Sequence, residues 1–350
     1  MARLPSKLSA NSTDYRGPIL LNPGGLGGSG VDFVLGAGEE ISGVLGPQFD
    51  IVAFDPRGVA RSTPHVSFLG NSVDRTFWQD NALNASSDEL ARAWARAKIV
   101  GQLAEERQAG ILPYINTAQT AADMLSIVKA HGKEKLLYWG FSYGSVLGST
   151  YASLFPDKIE RIVIDGVLDL DDYYQTLWTT NLSDTDKAMN AFYTTCHSAG
   201  PTKCAFYAPT PAQIAANLSN LYSTVRARPV PVRTALSYGL LDYSRLRSTV
   251  FSALYSPWAA WPTLAVALAD LARGNGTALY TMLEQPPFER ACPAAPDEEF
   301  ESADEVRFAI ICNDGDVVPE DFEKLKDYVR DTVSKSEWAE LWDNIRTYCV

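Results

Sequence analysis

The chain has 350 residues, 46% hydrophobic and 21% charged, with a formal net charge of −12 and an isoelectric point near 4.8. That is ordinary globular composition, in a chain long enough to bury a sizeable core without staples. The acidic excess repels phosphate backbones and argues against nucleic acid as a partner. No apolar run approaches the roughly 18 residues that would mark a membrane span.

Taken in chain order, Met1-Ala2-Arg3-Leu4-Pro5 reads as the inside of an early strand, and the opening segment lacks the apolar h-region of a signal peptide. GPILLNPGG (17–25) is a buried strand running into a glycine loop, and FDIVAFDPRG (49–58) repeats the pattern. Residues 88–108 are Ala/Arg/Glu-rich and helical, and 116–132 is an amphipathic helix stopped by Gly132. KLLYWGFSYG (135–144) is a strand entering a turn, 145–156 a helix ended by Pro156, and ERIVIDGV (160–167) another strand. Short apolar strands alternating with helices predict a parallel, doubly wound sheet over 1–169. Beyond Asp169 the texture changes to helical periodicity with many aromatics and prolines, which predicts a mostly helical lid over 170–350.

The segment Gly140-Phe141-Ser142-Tyr143-Gly144 carries the most information. A bare G-x-S-x-G arises by chance in about one chain in eight at this composition, so its setting decides its weight. Here an apolar strand (Leu136 to Trp139) precedes it and a small-residue helix (Ser145, Gly148, Ser149) follows. That strand–turn–helix setting is what a nucleophile elbow needs. A nucleophilic serine also needs N–H donors for the oxyanion. The glycine cluster Asn22–Gly30 supplies one, and the hole is assigned to the N–H groups of Gly25 and Tyr143. A phosphate loop fits less well, because Val31-Asp32 stands where a Walker loop needs Lys-Ser/Thr, and Pro56-Arg57-Gly58 is wrong for ribose binding after Asp55.

Five cysteines and five glycosylation sequons (Asn11, Asn84, Asn181, Asn217, Asn275) point to a secretory protein whose leader lies outside this stretch. About two sequons would arise by chance. CHSAGPTKC (196–204) closes a short Gly/Pro loop and predicts a Cys196–Cys204 disulfide. Cys349 fits a bond to Cys312 or to another chain, and the odd count leaves at least one cysteine over.

NPGGLGGSG, FDIVAFDPRGVARSTP, YWGFSYGSVLGSTYA and FPDKIERIVIDGV, in that order, resemble the tripeptidyl-aminopeptidase-like branch of the proline-iminopeptidase family. The resemblance is strong over about 1–175 and looser over the helical region with AIICND (309–314). It implies an α/β-hydrolase: a doubly wound, mostly parallel sheet with a large helical lid insertion. It also implies a serine hydrolase, typically secreted, with no cofactor, that removes residues from peptide N-termini or cleaves related amides and esters. Ser142 matches the nucleophile, and Gly25 and Tyr143 match the oxyanion hole. Leu26 stands where the family usually has proline, which should loosen the loop, and Ala60 replaces a usual glycine.

In that family the acid and histidine come late, in motifs absent here, so the chain reads as cut at both ends. As written it should hydrolyse weakly or not at all. A catalytically dead binding paralogue is the alternative. None of the three histidines substitutes well. His131 precedes the strand that carries Ser142, about 20 Å from its tip; His197 lies in the cysteine loop; His65 follows the DPRG turn. Asp165 or Asp169 could be a relocated acid, although Asp165 reads better as a structural group. An aminopeptidase must bind an α-ammonium, for which Glu284, Glu289, Asp314 and Asp316 are the candidate carboxylates. Aromatics such as Tyr173, Tyr174, Trp178, Trp258 and Trp261 suit an apolar pocket. An esterase or lactonase would need no ammonium site. No metal-ligand spacing is present.

Overall fold

A computed structural model of the chain describes residues 1–70, 74, 75, 78, 81–283 and 303–350. The first 169 residues build one five-stranded sheet. Its strands are β1 (Ala2–Leu4), β2 (Gly17–Asn22), β3 (Phe49–Ala53), β4 (Leu136–Phe141) and β5 (Ile159–Asp165). The order is β1-β3-β2-β4-β5. All neighbours pair in parallel except β1, which runs antiparallel to β3. The crossovers carry helices α1 (Gly30–Leu45), α2 (Glu89–Gln108), α3 (Thr117–Ala130) and α4 (Tyr143–Leu154).

The two sheet faces follow the period-2 alternation of the strands. Ile19, Leu21, Ile51 and Ala53 point to one side and pack with Val34 and Ile41 of α1. Leu20, Val52, Leu136 and Tyr138 point to the other and pack with Met124 and Val128 of α3 and Val146, Leu147 and Tyr151 of α4. Helices cover both faces, which is why β2 is buried at every residue and reads as an unbroken apolar run. β2 is central, with β3 on one flank and β4 on the other, so the loops leaving β2 and β4 emerge side by side. That crevice, where the winding reverses, is where open α/β sheets place their sites. β5 has no partner on its outer side among the described residues, and Val163 there is 53% exposed.

The described residues from 170 to 350 are mostly helical. They hold a core of their own in which Met189, Phe192, Ile214, Leu218, Leu246, Val250, Leu264, Leu268 and Trp338 are buried together. One departure is a two-stranded hairpin, β6 (Val230–Arg233) with β7 (Tyr238–Leu241). Four-residue strands are too short for a period to show, and the Thr234–Ser237 turn closes them through main-chain and side-chain bonds. Residues 303–314 form a helix whose Val306, Ala309, Ile310 and Ile311 join the sheet's own apolar cluster. Two disulfides are present: Cys196–Cys204, as the spacing predicts, and Cys312–Cys349, which ties that helix to the 344–350 segment. Cys292 lies outside the described residues.

Candidate active site

The strand β4 ends at Phe141 and α4 begins at Tyr143, so one residue, Ser142, makes the whole turn. It has φ +53° and ψ −119°, a conformation a non-glycine residue adopts only when its surroundings enforce it. Its N–H donates to the Asp165 carbonyl at 2.8 Å, and its carbonyl accepts from the N–H of Ser145 at 2.8 Å and from Ser145 Oγ at 2.6 Å. The Leu168 N–H in turn donates to Ser145 Oγ at 3.0 Å. One end of the turn is therefore fastened to the last residue of β5, and the other, through Ser145, to the loop that follows it.

The glycines around Ser142 permit the closeness of strand and helix. A Cβ at Gly140 would lie 2.3 Å from the Gly144 carbonyl, and one at Gly148 would lie 2.7 Å from the Tyr138 ring. Tyr138 fills the remaining space, and its hydroxyl donates to the Gly144 carbonyl at 2.8 Å. Ser142 itself is exposed, and its Oγ has no hydrogen bond among the described residues.

The glycine loop after β2 sits against this turn. A Cβ on Gly24 would lie 2.2 Å from the Phe141 carbonyl, 2.7 Å from Ser142 Cβ and 3.0 Å from the Tyr143 nitrogen, and Gly24 has φ +82°. Asn22, buried, accepts from the Gly24 N–H through Oδ1 at 2.9 Å. Neither the Gly25 nor the Tyr143 N–H has a partner among the described residues. For Tyr143 this follows from its place at the first position of α4, where helix amides are left over. The loop is held from behind by Asp55, which accepts from Ser29 Oγ at 2.7 Å, the Val31 N–H at 3.1 Å and the Arg61 N–H at 3.3 Å.

The two departures from the family pattern have physical consequences. Leu26 has φ +32°, which proline cannot adopt, so the loop takes a path a proline would forbid. Its side chain does not leave the loop loose: it is buried in the sheet's apolar cluster. Ala60 has φ +42°, the left-handed geometry in which glycine is free of strain.

Beneath the turn lies a polar cluster that sequence reasoning missed. Tyr143 is buried, and its hydroxyl is 2.5 Å from Thr117 Oγ1 at the start of α3. Asp314 accepts from the Thr117 N–H at 2.8 Å, from Thr117 Oγ1, and from the Tyr173 hydroxyl at 2.7 Å. Burial pushes the Asp314 carboxyl above the usual carboxylate range against the pull of the Thr117 and Tyr173 hydrogen bonds. Burial, then the nearby Asp314 charge, pushes the Tyr143 and Tyr173 hydroxyls well above the usual phenol value. Local signals are silent here, because Thr117 and Asp314 are 197 positions apart.

Of the four carboxylates considered for an α-ammonium, Glu284 and Glu289 lie outside the described residues. Asp314 is engaged as just described, and Asp316 is exposed. His131 caps the C-terminal end of α3, at the opposite end of the sheet from Ser142. His197 stacks on Tyr207 and contacts the Pro209 carbonyl at 3.1 Å through Nε2. His65 is exposed in the loop after β3. Asp169 caps residues 170–174 by accepting from the Asp171 and Asp172 N–H groups. Among the described residues no group of three His, Cys, Asp or Glu could hold a metal ion, and no helix is long and apolar enough to cross a membrane.

The sequence profile of the alpha/beta hydrolase fold matches residues 17–270. The chain belongs to that family. Within it, the chain is similar to serine protease Hip1 of Mycobacterium tuberculosis, at 32% identity over 157 residues, 45% of this chain and 30% of that protein. It is similar to tripeptidyl aminopeptidase of Streptomyces lividans, at 34% over 161 residues, 45% of this chain and 29% of that one. Carboxylesterase B of Mycobacterium tuberculosis matches at 29% over 155 residues, 44% of this chain and 30% of the relative. The matched stretch thus spans about 30% of these relatives' length.

Proposed function

We propose that this α/β-hydrolase chain carries the nucleophile and oxyanion hole of a serine hydrolase of the aminopeptidase type. Ser142 Oγ attacks the carbonyl carbon of a peptide or related amide or ester, and the N–H groups of Gly25 and Tyr143 receive the oxyanion. Collapse breaks the bond to the amine or alcohol, which leaves with the serine's hydroxyl proton relayed by solvent, and water then hydrolyses the acyl-Ser142 and returns a proton to Oγ. One observation carries the reading: Gly24 is packed against Ser142 Cβ and the Tyr143 nitrogen, with the serine strained and exposed on its turn. Strain at an exposed serine, with Gly24, Gly140 and Gly148 leaving no room for a Cβ around it, is hard to account for by packing alone. Two disulfides and five sequons support a secreted protein. Of the four candidate carboxylates, Asp316 is the exposed one among the described residues, and it is the one proposed for a substrate α-ammonium.

No histidine is hydrogen-bonded to Ser142 among the described residues, so turnover by this chain alone rests on the oxyanion hole and binding, and is weak. The relative named a carboxylesterase favours a second reading, an esterase of the same fold. Paired assays of a tripeptidyl amide with a free N-terminus, its N-blocked counterpart and a short acyl ester separate the two, with Ser142→Ala as the blank. The aminopeptidase reading expects Ser142-dependent cleavage that prefers the free N-terminus. Ser142-dependent turnover of the ester alone would replace it with the esterase reading.

A further inference from the structure

We infer that Asp314 is a positioning residue for the nucleophile turn, acting through Thr117 on Tyr143. This deepens the proposed function and rests on Ser142 being the nucleophile.

Tyr143 is joined to the turn at both ends of its own structure. Its main chain is the first helical residue after Ser142 and bears the proposed oxyanion donor. Its side chain runs into the interior, where the ring is 97% shielded and the hydroxyl meets Thr117 Oγ1 at 2.5 Å. Tilting of the α4 start would therefore have to move that hydroxyl. Asp314 holds Thr117 on two sides, through its N–H at 2.8 Å and through its hydroxyl. Because Thr117 Oγ1 donates to the carboxylate, its lone pairs remain for the Tyr143 hydroxyl, so the chain of donors runs Tyr143 to Thr117 to Asp314. The orientation of each hydroxyl is set by the charge at the end of the row.

Asp314 is in turn fixed from the other side. The Tyr173 hydroxyl donates to it at 2.7 Å. Asn313 Nδ2 next to it donates to the Leu112 and Ile115 carbonyls at 2.7 and 3.0 Å, just ahead of α3. Cys312, two residues back, is bonded to Cys349. The end of the 303–314 helix is thus tethered on three sides, and its carboxylate is the only charged group in hydrogen-bond contact with the row, among the described residues. A carboxylate used merely to cap α3 would need the Thr117 N–H but not the hydroxyl that leads to Tyr143.

The test uses the full chain and the variants Asp314→Ala, Thr117→Val, Thr117→Ser and Tyr143→Phe. Two quantities are read: the rate of Ser142 phosphonylation by a fluorophosphonate, and amide hydrogen exchange over 143–148 against exchange over 211–227 in the helical region. Asp314→Ala, Thr117→Val and Tyr143→Phe are expected to speed exchange over 143–148 about tenfold while leaving 211–227 unchanged, and to slow phosphonylation about tenfold, the scale of one lost hydrogen bond to a charged group. Thr117→Ser keeps hydroxyl and N–H and restores both. Should Asp314→Ala fail to fold, Tyr143→Phe probes the same row from its other end with the loss of one oxygen. Unchanged exchange over 143–148, or an equal rise in both segments, overturns the inference. If Ser142 of the unaltered chain does not react, the nucleophile reading fails, and the exchange pattern still decides whether Asp314 holds the turn.

Discussion

Replacing Gly24 with alanine puts the apposition of loop and turn to a direct test. The added Cβ would stand 2.2 Å from the Phe141 carbonyl oxygen and 2.7 Å from Ser142 Cβ, where ordinary contacts begin at 3.4 Å. The loop must retreat by about 1 Å, and displacement of that size at a reacting centre costs on the order of 10²-fold in rate. A second cost is independent of space: φ is +82° at this residue, and a left-handed non-glycine residue costs about 1–2 kcal/mol. The clash adds to that, so the variant should lose several kcal/mol in total. Gly36→Ala is the control. Gly36 is exposed on α1 with nothing within 4 Å of a built Cβ, so alanine there should raise stability by about 0.5–1 kcal/mol. Urea unfolding gives the stability, and phosphonylation of the still-folded fraction gives the reactivity. Gly24→Ala reacting at Ser142 as fast as the unaltered chain would refute the reasoning, because the loop would then have no part in aiming the oxyanion donors.

Two other expectations concern stability. Ser142→Gly should unfold at higher denaturant, by about 1 kcal/mol, because it removes left-handed strain where the side chain has no hydrogen bond to lose; equal or lower stability would mean the turn is unstrained. Asp343 is buried among the helices of the second half, and desolvation pushes its carboxyl up to about 7 against the Thr332 and Tyr328 hydrogen bonds. In the unfolded chain it ionises near the ordinary value of about 3.9. The folded state therefore keeps a proton that the unfolded state has released between these values. The stabilising contribution is complete below about pH 4 and is lost as pH rises to about 7. Asp343→Asn cannot ionise, so it should gain on the unaltered chain by on the order of 2–4 kcal/mol across that window, as read from denaturation midpoints at pH 4.5 and 7.5. Parallel pH curves for the two proteins would contradict this.

The sheet and the tight Gly140–Gly144 turn were readable because their physics is local. A parallel strand covered on both faces has to be an apolar run, as Gly17–Asn22 is, and a strand that meets a helix across one residue has to be flanked by glycines, as Ser142 is. Cys196 and Cys204 are close enough in sequence for the loop between them to announce the bond. What escaped was whatever depends on segments far apart. Nothing near Thr117 indicates that Asp314 will cap it, and nothing near Tyr143 indicates that its hydroxyl will find Thr117. The hairpin of 230–241 was hidden by strands of four residues. At Leu26 the family resemblance marked an absent proline but not that the leucine would be buried, because only the path of the loop reveals which side chain it turns inward.

The most direct measurement is the distribution of a fluorophosphonate over the serines of the folded chain, read by peptide mapping. Loss of a triad member still leaves about 10³-fold catalysis over water from the oxyanion hole and binding, and on the proposed reading that stabilisation acts at Ser142 and at no other serine. The adduct should therefore collect at Ser142 and leave exposed serines such as Ser9 and Ser334 unmodified. Equal modification of Ser142, Ser9 and Ser334 would show that the amides of Gly25 and Tyr143 do not face the hydroxyl of residue 142.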